Sequence, residues 1–377
     1  MKKTIFFYAN FRTYDHTLGI TRKVYSEIDA FRKQGYEVYY SGYKADGVAI
    51  FNDNDEVISE KKYLLNIGML NHILRRKMIM DLCIDFMKQY SGDFEFSYAR
   101  YHFFDREYIK LLKTLKSKSQ KVIVEAHSAP KFAKSFSPMT YVAWKDKRWN
   151  KKAKQYVDLV ASMSDEDKLW GIHTVKISNG INADQIRIHN YNGNEDEINL
   201  IAVSFEGPVH GYDRVLRGIK EYYKKGGTRK ITFHIVGSVL PSTESLITKL
   251  GLEDNCVKYG PKAGNELDDI YDKANLAIGC LANHRIGSFF GSALKTKEYI
   301  AKGIPFIYGW REKVLENFKY GKRFELCEEP IDMFCVIEFY DALSKTNLAE
   351  NIRACLSYRD TWEYQMQVVV NAYRALL

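Results

Sequence analysis

Residues 281–309 read LANHRIGSFFGSALKTKEYIAKGIPFIYG. The order they predict is loop, helix, turn, strand. Ser292 is a good N-cap residue, and Leu294, Ile300 and Ala301 supply apolar positions near helical spacing. Gly303 stands where a glycine ends a helix, and Pro305 keeps the helix from resuming. Residues 305–308, Pro-Phe-Ile-Tyr, then read as a buried strand. Lys295 is the residue out of place. It falls in the first turn, where the helix dipole disfavours a cation by a few tenths of a kcal/mol. An anion at the same helix end reverses that sign, because the free N–H groups and the ammonium bind a phosphate together. Glu298 follows at i+3 on the same face, one turn deeper. A carboxylate there is placed to accept hydrogen bonds from a ribose diol. The alternative is a surface helix carrying an ordinary Lys/Glu pair.

The same alternation of strand and helix extends in both directions from this stretch. Toward the N-terminus, residues 198–204, 231–236, 256–259 and 275–279 read as strands, with helices over 212–223 and 264–273. Toward the C-terminus, residues 323–327, 331–343 and 349–357 complete a domain, and a last helix covers 360–377. At the start of the chain, strand 4–9, helix 20–34 and strand 36–41 make a βαβ opening. That first helix carries Ile20, Val24, Ile28 and Phe31 on one stripe and is closed by Gly35. The loop before it has a single glycine, Gly19, and no G-x-G-x-x-G, so a dinucleotide fingerprint is not supported. Helices over 64–90 and 104–116 and strands 94–99, 122–126, 158–162 and 174–178 follow, with a short helix at 165–171. In open α/β sheets ligands collect at the carboxyl ends of strands, which singles out Arg100, Glu125 and His127. For His127 the alternative is a structural histidine capping its strand. Asn179-Gly180 is a sharp-turn pair.

With 377 residues the chain is long enough for two domains, and 46% hydrophobic against 27% charged residues marks it as globular rather than disordered. The net charge of +9 suits nucleic acid, an anionic membrane or a phosphorylated substrate alike. The six cysteines show neither C-x-x-C nor zinc spacing, and read as reduced core residues of a cytosolic protein. The apolar run after Met1-Lys2-Lys3 is too short for a signal peptide, so a first strand is expected there. No segment has the ~20 apolar residues of a membrane span. Residues 131–156 stand apart. Tyr141, Trp144, Arg148 or Trp149, and Tyr156 fall near one helical face, among Lys145, Lys147, Lys151, Lys152 and Lys154. A basic helix with aromatic residues suits an anionic bilayer surface; the alternative is a solvated helix whose aromatics pack on the domain. Without an accompanying RNA- or DNA-binding signature, nucleic acid is not an expected partner.

Taken with their neighbours, the residues of the opening stretch resemble a known family. LKTKEYIAKGIPFIY, residues 294–308, is similar to the glutamate-motif helix of retaining glycosyltransferases of the GT-B type, family four. Those enzymes usually show two glutamates eight positions apart; Glu298 matches the second, and the first falls on Phe290. The pattern formed by His284, Arg285, Ser292, Leu294, Lys295, Glu298 and Tyr299, with the run His210-Gly211-Tyr212-Asp213-Arg214, resembles the bacterial capsule and exopolysaccharide branch. The resemblance is strong over about 158–306 and loose before it. It implies two Rossmann-like domains facing across a cleft: 1–180 on the acceptor side, with 360–377 packing back on it, and 181–359 for the nucleotide sugar. Asn179-Gly180 matches the family's interdomain switch.

The same resemblance implies site residues. Gly19, His210, Arg214, Gly237, Arg285, Ser292, Lys295 and Glu298 become donor-side candidates. His127, Lys295 and Glu298 become catalytic ones, and Arg100 and Glu125 remain on the acceptor side. His210 stands where most relatives carry a lysine, and Lys295 is expected to supply the missing charge. The implied reaction transfers a hexose-type residue from a UDP- or GDP-sugar, with retention and without a bound metal or further cofactor. The implied acceptor is a polysaccharide or lipid-linked glycan, at the cytoplasmic face of the plasma membrane. A degenerate, non-catalytic sugar-binding or scaffold protein is the other reading, motivated by Phe290. A sugar-nucleotide epimerase would need a carboxylate pair that the sequence does not present.

Overall fold

A computed structural model describes residues 3–16, 18–63, 70–126, 138–164, 166–191, 196–287, 289, 293–312 and 315–377. The chain divides into two units, Met1–Gly180 with Trp362–Leu377, and Ile181–Thr361.

The first unit opens with β1 (Lys3–Tyr8), α1 (Gly19–Lys33) and β2 (Tyr36–Tyr43), with β2 parallel to β1. β1 is buried on both faces, so it reads as an unbroken apolar run. Phe7 packs on Phe31 of α1, while Phe6 and Tyr8 join the core on the other face. β3 (Gly47–Phe51) and β4 (Val57–Lys62) extend the edge as an antiparallel hairpin that the sequence reading did not place. Its turn is held by the Asn52 side chain, which accepts from the N–H of Asn54 and of Glu56 at 3.0 Å. Next come α2 (Leu70–Gln89), β5 (Phe94–Arg100), α3 (Arg106–Lys118), β6 (Ser119–Ala126), α4 (Pro138–Ala153) and β7 (Leu159–Ser162).

The helix expected at 165–171 is instead a tight hairpin between β8 (Lys168–Leu169) and β9 (Ile172–Lys176). Trp170 and Gly171 both take positive φ, 54° and 79°, the geometry of a two-residue hairpin turn. The nine strands run in the order β4-β3-β2-β1-β5-β6-β7-β9-β8. Helices α2 and α3 cover one face. On the other lie α1 and the returning C-terminal helix, whose Tyr373 packs on Phe96.

The second unit contains β10 (Glu197–Val203), α5 (Tyr212–Lys224), β11 (Lys230–Val236), α6 (Pro241–Leu250), β12 (Cys256–Gly260) and α7 (Gly264–Tyr271). It continues with β13 (Leu276–Ile278), α8 (Leu294–Lys302), β14 (Phe306–Tyr308), β15 (Gly321–Arg323), α9 (Met333–Asp341) and α10 (Leu348–Arg353). The terminal helix α11 (Trp362–Arg374) belongs to the first unit. All six strands of the second unit are parallel, in the order β12-β11-β10-β13-β14-β15. Helices α5, α6 and α9 bury their apolar faces on one side, and α7, α8 and α10 on the other. This is the doubly wound arrangement, with its strand order reversing between β10 and β13.

Of the six cysteines, all free thiols, only Cys83 is fully buried and Cys355 is exposed, so they are not uniformly core residues.

Candidate functional site

The switch point of the second sheet lies between the carboxyl ends of β10 and β13, where doubly wound sheets collect their ligands. Two loops start there, and the sequence dictates how they meet. After β10, Ser204 donates its N–H to Val236 O at 2.8 Å, so the chain runs tight against the end of β11. Gly237 makes this possible. Its φ is +115°, and a Cβ there would lie 2.0 Å from Ser204 O. A short 3-10 turn at Pro208–His210 then feeds α5 through Gly211, whose φ is +68°. After β13, a second 3-10 turn at Asn283–Ile286 precedes α8. The two turns are joined by backbone bonds: Ala282 N–H to Val209 O at 2.9 Å and Leu281 N–H to His210 O at 3.3 Å. Arg285 adds side-chain bonds to Pro208 O at 3.2 Å and to both Asp213 oxygens at 2.9 Å. The HGYDR run and the His284-Arg285 pair, far apart in sequence, therefore form one surface.

Within that surface the two arginines are already engaged. Arg285 lies between Asp213 and Glu328, and its hydrogen bonds, with that of His284, hold the Glu328 carboxyl down to about 2. Arg214 is 2% exposed. Its guanidinium donates to Glu329 O at 2.7 Å and to Leu281 O, and meets Cys327 Sγ at 3.4 Å. It braces the loop after β13 against residues 327–331, inside its own domain.

His210 and Lys295 differ from them. Gly207 N–H points at His210 Nδ1 at 2.8 Å. An amide nitrogen can only donate, so Nδ1 carries the lone pair and the proton sits on Nε2; the 3.1 Å contact of Nδ1 with Gly207 O is then not a hydrogen bond. Burial, reinforced by Lys295, pushes the imidazole down to about 4, so it is neutral at pH 7 and offers an N–H. Lys295 stands in the first turn of α8. Its side chain is half-buried overall, but the ammonium is enclosed and has no hydrogen-bond partner among the described residues. Burial pulls it down to about 8, against the opposing influence of Cys280 and Glu298. Thr296 Oγ1, Asn283 Oδ1 and His284 Nδ1 are likewise enclosed without a partner among the described residues.

The N-cap of α8 falls on Ala293, not on the expected Ser292, and Ala293 supplies no side-chain cap. An uncapped helix end with an uncompensated ammonium has the makings of an anion site. Glu298 lies half-buried one turn deeper, on the same face as Lys295. The helix itself is fixed by Tyr299, whose hydroxyl donates to Ile278 O at 2.8 Å, and by two buried ion pairs, Lys297–Asp360 and Lys302–Asp268.

In the first domain, Arg100 and Glu125 do stand at the carboxyl ends of β5 and β6. Neither presents its charge to solvent. Lys23 Nζ lies 2.8 Å from Glu125 and 3.3 Å from Glu27, and Arg100 lies 3.2 Å from Glu27 and 3.4 Å from Glu125. Among the described residues the four make one buried cluster of two cationic and two carboxyl side chains. The sequence reading missed its α1 half, although Lys23 and Glu27 are an i,i+4 pair. They turn the buried face of α1 toward Val24, Glu27, Ile28 and Phe31, and leave Ile20, expected on the stripe, 41% exposed. Gly19 is the first residue of α1, behind Leu18, which gives no side-chain cap. His127 and Ser292 lie outside the described residues.

The aromatic stripe expected over 131–156 divides. Trp149 and Tyr156 pack on the core, and Asp146, 1% exposed, binds Tyr101 Oη and Phe104 N–H at 2.6 Å. Tyr141 and Trp144 remain exposed and stack on each other, with the Lys145 ammonium and the Arg148 guanidinium near their rings.

Comparison with solved structures follows this geometry. A glycosyltransferase from Rickettsia africae is 13% identical with a TM-score of 0.66, over 100% of this chain and 98% of that one. Sucrose-phosphate synthase from Thermosynechococcus elongatus is 15% identical with a TM-score of 0.68, over 100% and 99%. Anabaena HepE, solved with UDP and glucose, is 13% identical with a TM-score of 0.62, over 99% and 100%. The fold is that of the GT-B glycosyltransferases. No family model and no curated protein matches the chain by sequence. At these identities the likeness is one of fold.

Proposed function

We propose that this protein is a glycosyltransferase that moves a hexose-type residue from a nucleotide-sugar donor to a polysaccharide or lipid-linked glycan, with retention and without a bound metal. The observation that carries the reading is the Lys295 ammonium, enclosed without a hydrogen-bond partner among the described residues, at the end of α8 where Ala293 supplies no side-chain cap. A leaving diphosphate supplies the charge that this lysine lacks, and the helix N–H groups and the Nε2–H of His210 add hydrogen bonds without adding charge. Glu298, one turn deeper, accepts from the ribose hydroxyls. Gly237, a donor-side candidate by family resemblance, brings the chain after β11 tight against Ser204 at the switch point. A UDP- or GDP-sugar is the proposed donor, since family resemblance rather than any one side chain supports the choice of base.

Binding without turnover is the second reading, favoured by Phe290 at the first motif glutamate and by the prior engagement of both arginines. Calorimetric titration with UDP and GDP, followed by a turnover assay with the corresponding sugars, tests both. Nucleotide binding with turnover supports the enzyme, and binding alone supports the scaffold. Absence of binding by either nucleotide refutes both.

We further propose that α4 rests on anionic lipid at the cytoplasmic face of the membrane. Among the described residues no helix is long and apolar enough to cross a bilayer. The outer face of α4 combines exposed Tyr141 and Trp144 with exposed Lys147, Arg148, Lys151 and Lys152, and each basic residue near such a surface contributes about 1 kcal/mol. Replacing Lys147, Lys151, Lys152 and Lys154 with glutamine is expected to abolish co-sedimentation with phosphatidylserine vesicles. Equal sedimentation of the variant and the parent refutes the lipid reading.

A further inference from the structure

The chain passes between its two domains twice, at Gly180–Ile181 and at Thr361–Trp362. Each domain holds both passages together by its own contacts. In the second domain Ile181 N–H donates to Asp360 O at 2.8 Å. In the first, Ser178 N–H donates to Gln365 Oε1 at 2.6 Å, and Gly180 lies so close to Trp362 that a Cβ would fall 2.4 Å from its nitrogen. A buried lysine then ties each domain's part of the crossing to one helix. Lys23 of α1 donates to Asn179 Oδ1 at 3.0 Å and sits over the Trp362 ring. Lys297 of α8, 1% exposed, pairs with Asp360. Asp360 in turn accepts from Ser357 N–H at 2.9 Å and from its hydroxyl at 3.0 Å.

The connection through α8 is short. Lys295, which has no hydrogen-bond partner among the described residues, and Lys297, which pairs with Asp360, are two residues apart on a nine-residue helix. Their side chains leave the helix about 200° apart, at ~100° per residue, so one turns to the switch point and the other to the crossing. We propose that Lys297 is a positioning residue that couples occupancy of the α8 anion site to the order of the interdomain crossing at Asp360. The proposal rests on the reading of α8 as the donor-phosphate site. An anion bound at the first turn holds that turn in place. The ion pair carries the restraint to Asp360, and the Asp360 carbonyl carries it to Ile181. Coupling of this kind is reciprocal, so a loosened crossing must weaken the anion by the same factor.

Amide hydrogen exchange on the full chain, with UDP as the probe, reads this directly. The Ile181 amide reports on the crossing, because its N–H donates to Asp360 O. In the unsubstituted protein, saturating UDP is expected to slow its exchange about fivefold or more, the lower end of ordinary coupling. Lys297→Met alone leaves Asp360 without its cation, so the test variant is Lys297→Met with Asp360→Asn, which removes both charges. In that variant UDP still binds through Lys295, but with lower affinity, and exchange at Ile181 no longer responds. Lys297→Arg, which keeps the pair, is expected to restore the response. Equal slowing in the parent and the double variant overturns the proposal. So does calorimetric UDP binding to the parent that leaves Ile181 unchanged. If UDP gives no binding heat at all, the α8 site reading fails, and this coupling fails with it.

Discussion

Replacing Lys295 with methionine separates a binding-site lysine from a structural one, because the two predict opposite signs. The ammonium is held down from 10.5 to about 8 by burial. At about 1.4 kcal/mol per pH unit, confining that charge costs about 3 kcal/mol, an upper figure because the rest of the side chain is only half-buried. The cation's pKa is lower in the folded chain than in the unfolded one. The penalty is therefore fully present below about pH 8 and fades as pH rises toward 10.5. Methionine fills similar space without the charge, so Lys295→Met is expected to raise Tm at pH 7. In a domain of this size ~1 kcal/mol moves Tm by 2–4 °C, so the gain is several degrees, shrinking to nothing near pH 10.5. Nucleotide binding moves the other way. Loss of a charge-assisted hydrogen bond costs about 1.5–3 kcal/mol, which is tenfold or more in UDP affinity. Because the free lysine must take up a proton to meet the phosphate, UDP affinity of the parent falls as pH rises above about 8, and that of the variant does not. Scanning calorimetry and titration calorimetry between pH 6.5 and 9.5 check every part. A variant that melts lower and binds UDP equally well refutes the argument, as does a variant that keeps the parental pH dependence.

Three further substitutions probe other parts of the molecule. Gly237→Ala places a Cβ against Ser204 O at a φ that side chains rarely adopt; a loss of roughly 2–3 kcal/mol in urea unfolding is expected, and an unchanged midpoint contradicts the close approach. Glu298→Gln is expected to weaken UDP binding about tenfold but to leave 2′,3′-dideoxyuridine diphosphate unaffected, whereas equal losses for both ligands remove the ribose from the argument. In the first domain, burial and the neighbouring Glu125 raise the Glu27 carboxyl to about 7, against the pull of Lys23 and Arg100. The folded chain then keeps a proton that the unfolded chain releases near 4.5, so stability falls as pH rises from about 4.5 to 7; Glu27→Gln should flatten that slope, and an unaltered slope places the proton elsewhere.

How far the sequence carries depends on how local the controlling physics is. The end of α8 is legible because Gly303 takes φ +80° and Pro305 follows it, both short-range constraints. Its beginning is less so, since Ser292 and Ala293 are neighbours and only the geometry of the turn decides which residue stands at the N-cap. The β8–β9 hairpin hides because its turn is Trp170-Gly171, and a tryptophan at positive φ gives no compositional warning. The two α/β domains follow from alternating apolar segments and Gly-closed helices. The switch-point surface follows only in part. His210 and Lys295 carry a visible oddity each, but that Arg285 binds Asp213, 72 residues away, and that Arg214 serves its own domain are tertiary facts. Arg100 and Glu125 are the instructive pair. Their place at strand ends is readable, while the partners that occupy them, Lys23 and Glu27, look like an ordinary helical pair until the sheet brings all four together.

Four lysines with enclosed ammonium groups make the functional argument by contrast. Lys23 meets Glu125 and Glu27, Lys297 meets Asp360, and Lys302 meets Asp268 and lies over the Tyr271 ring. Each obeys the rule that a buried charge is paired. Lys295 alone of the four has no such bond among the described residues, and it sits where the helix dipole adds to the penalty instead of relieving it. A chain that three times solves the problem of burying a lysine has the means to solve it a fourth time. The cost is tolerable at Lys295 if a ligand bearing negative charge completes the pair. The position of the defect, at the switch point of a parallel sheet and beside a neutral histidine N–H, is why the ligand proposed for it is one whose anionic part is compact and rich in oxygen acceptors, as a diphosphate is.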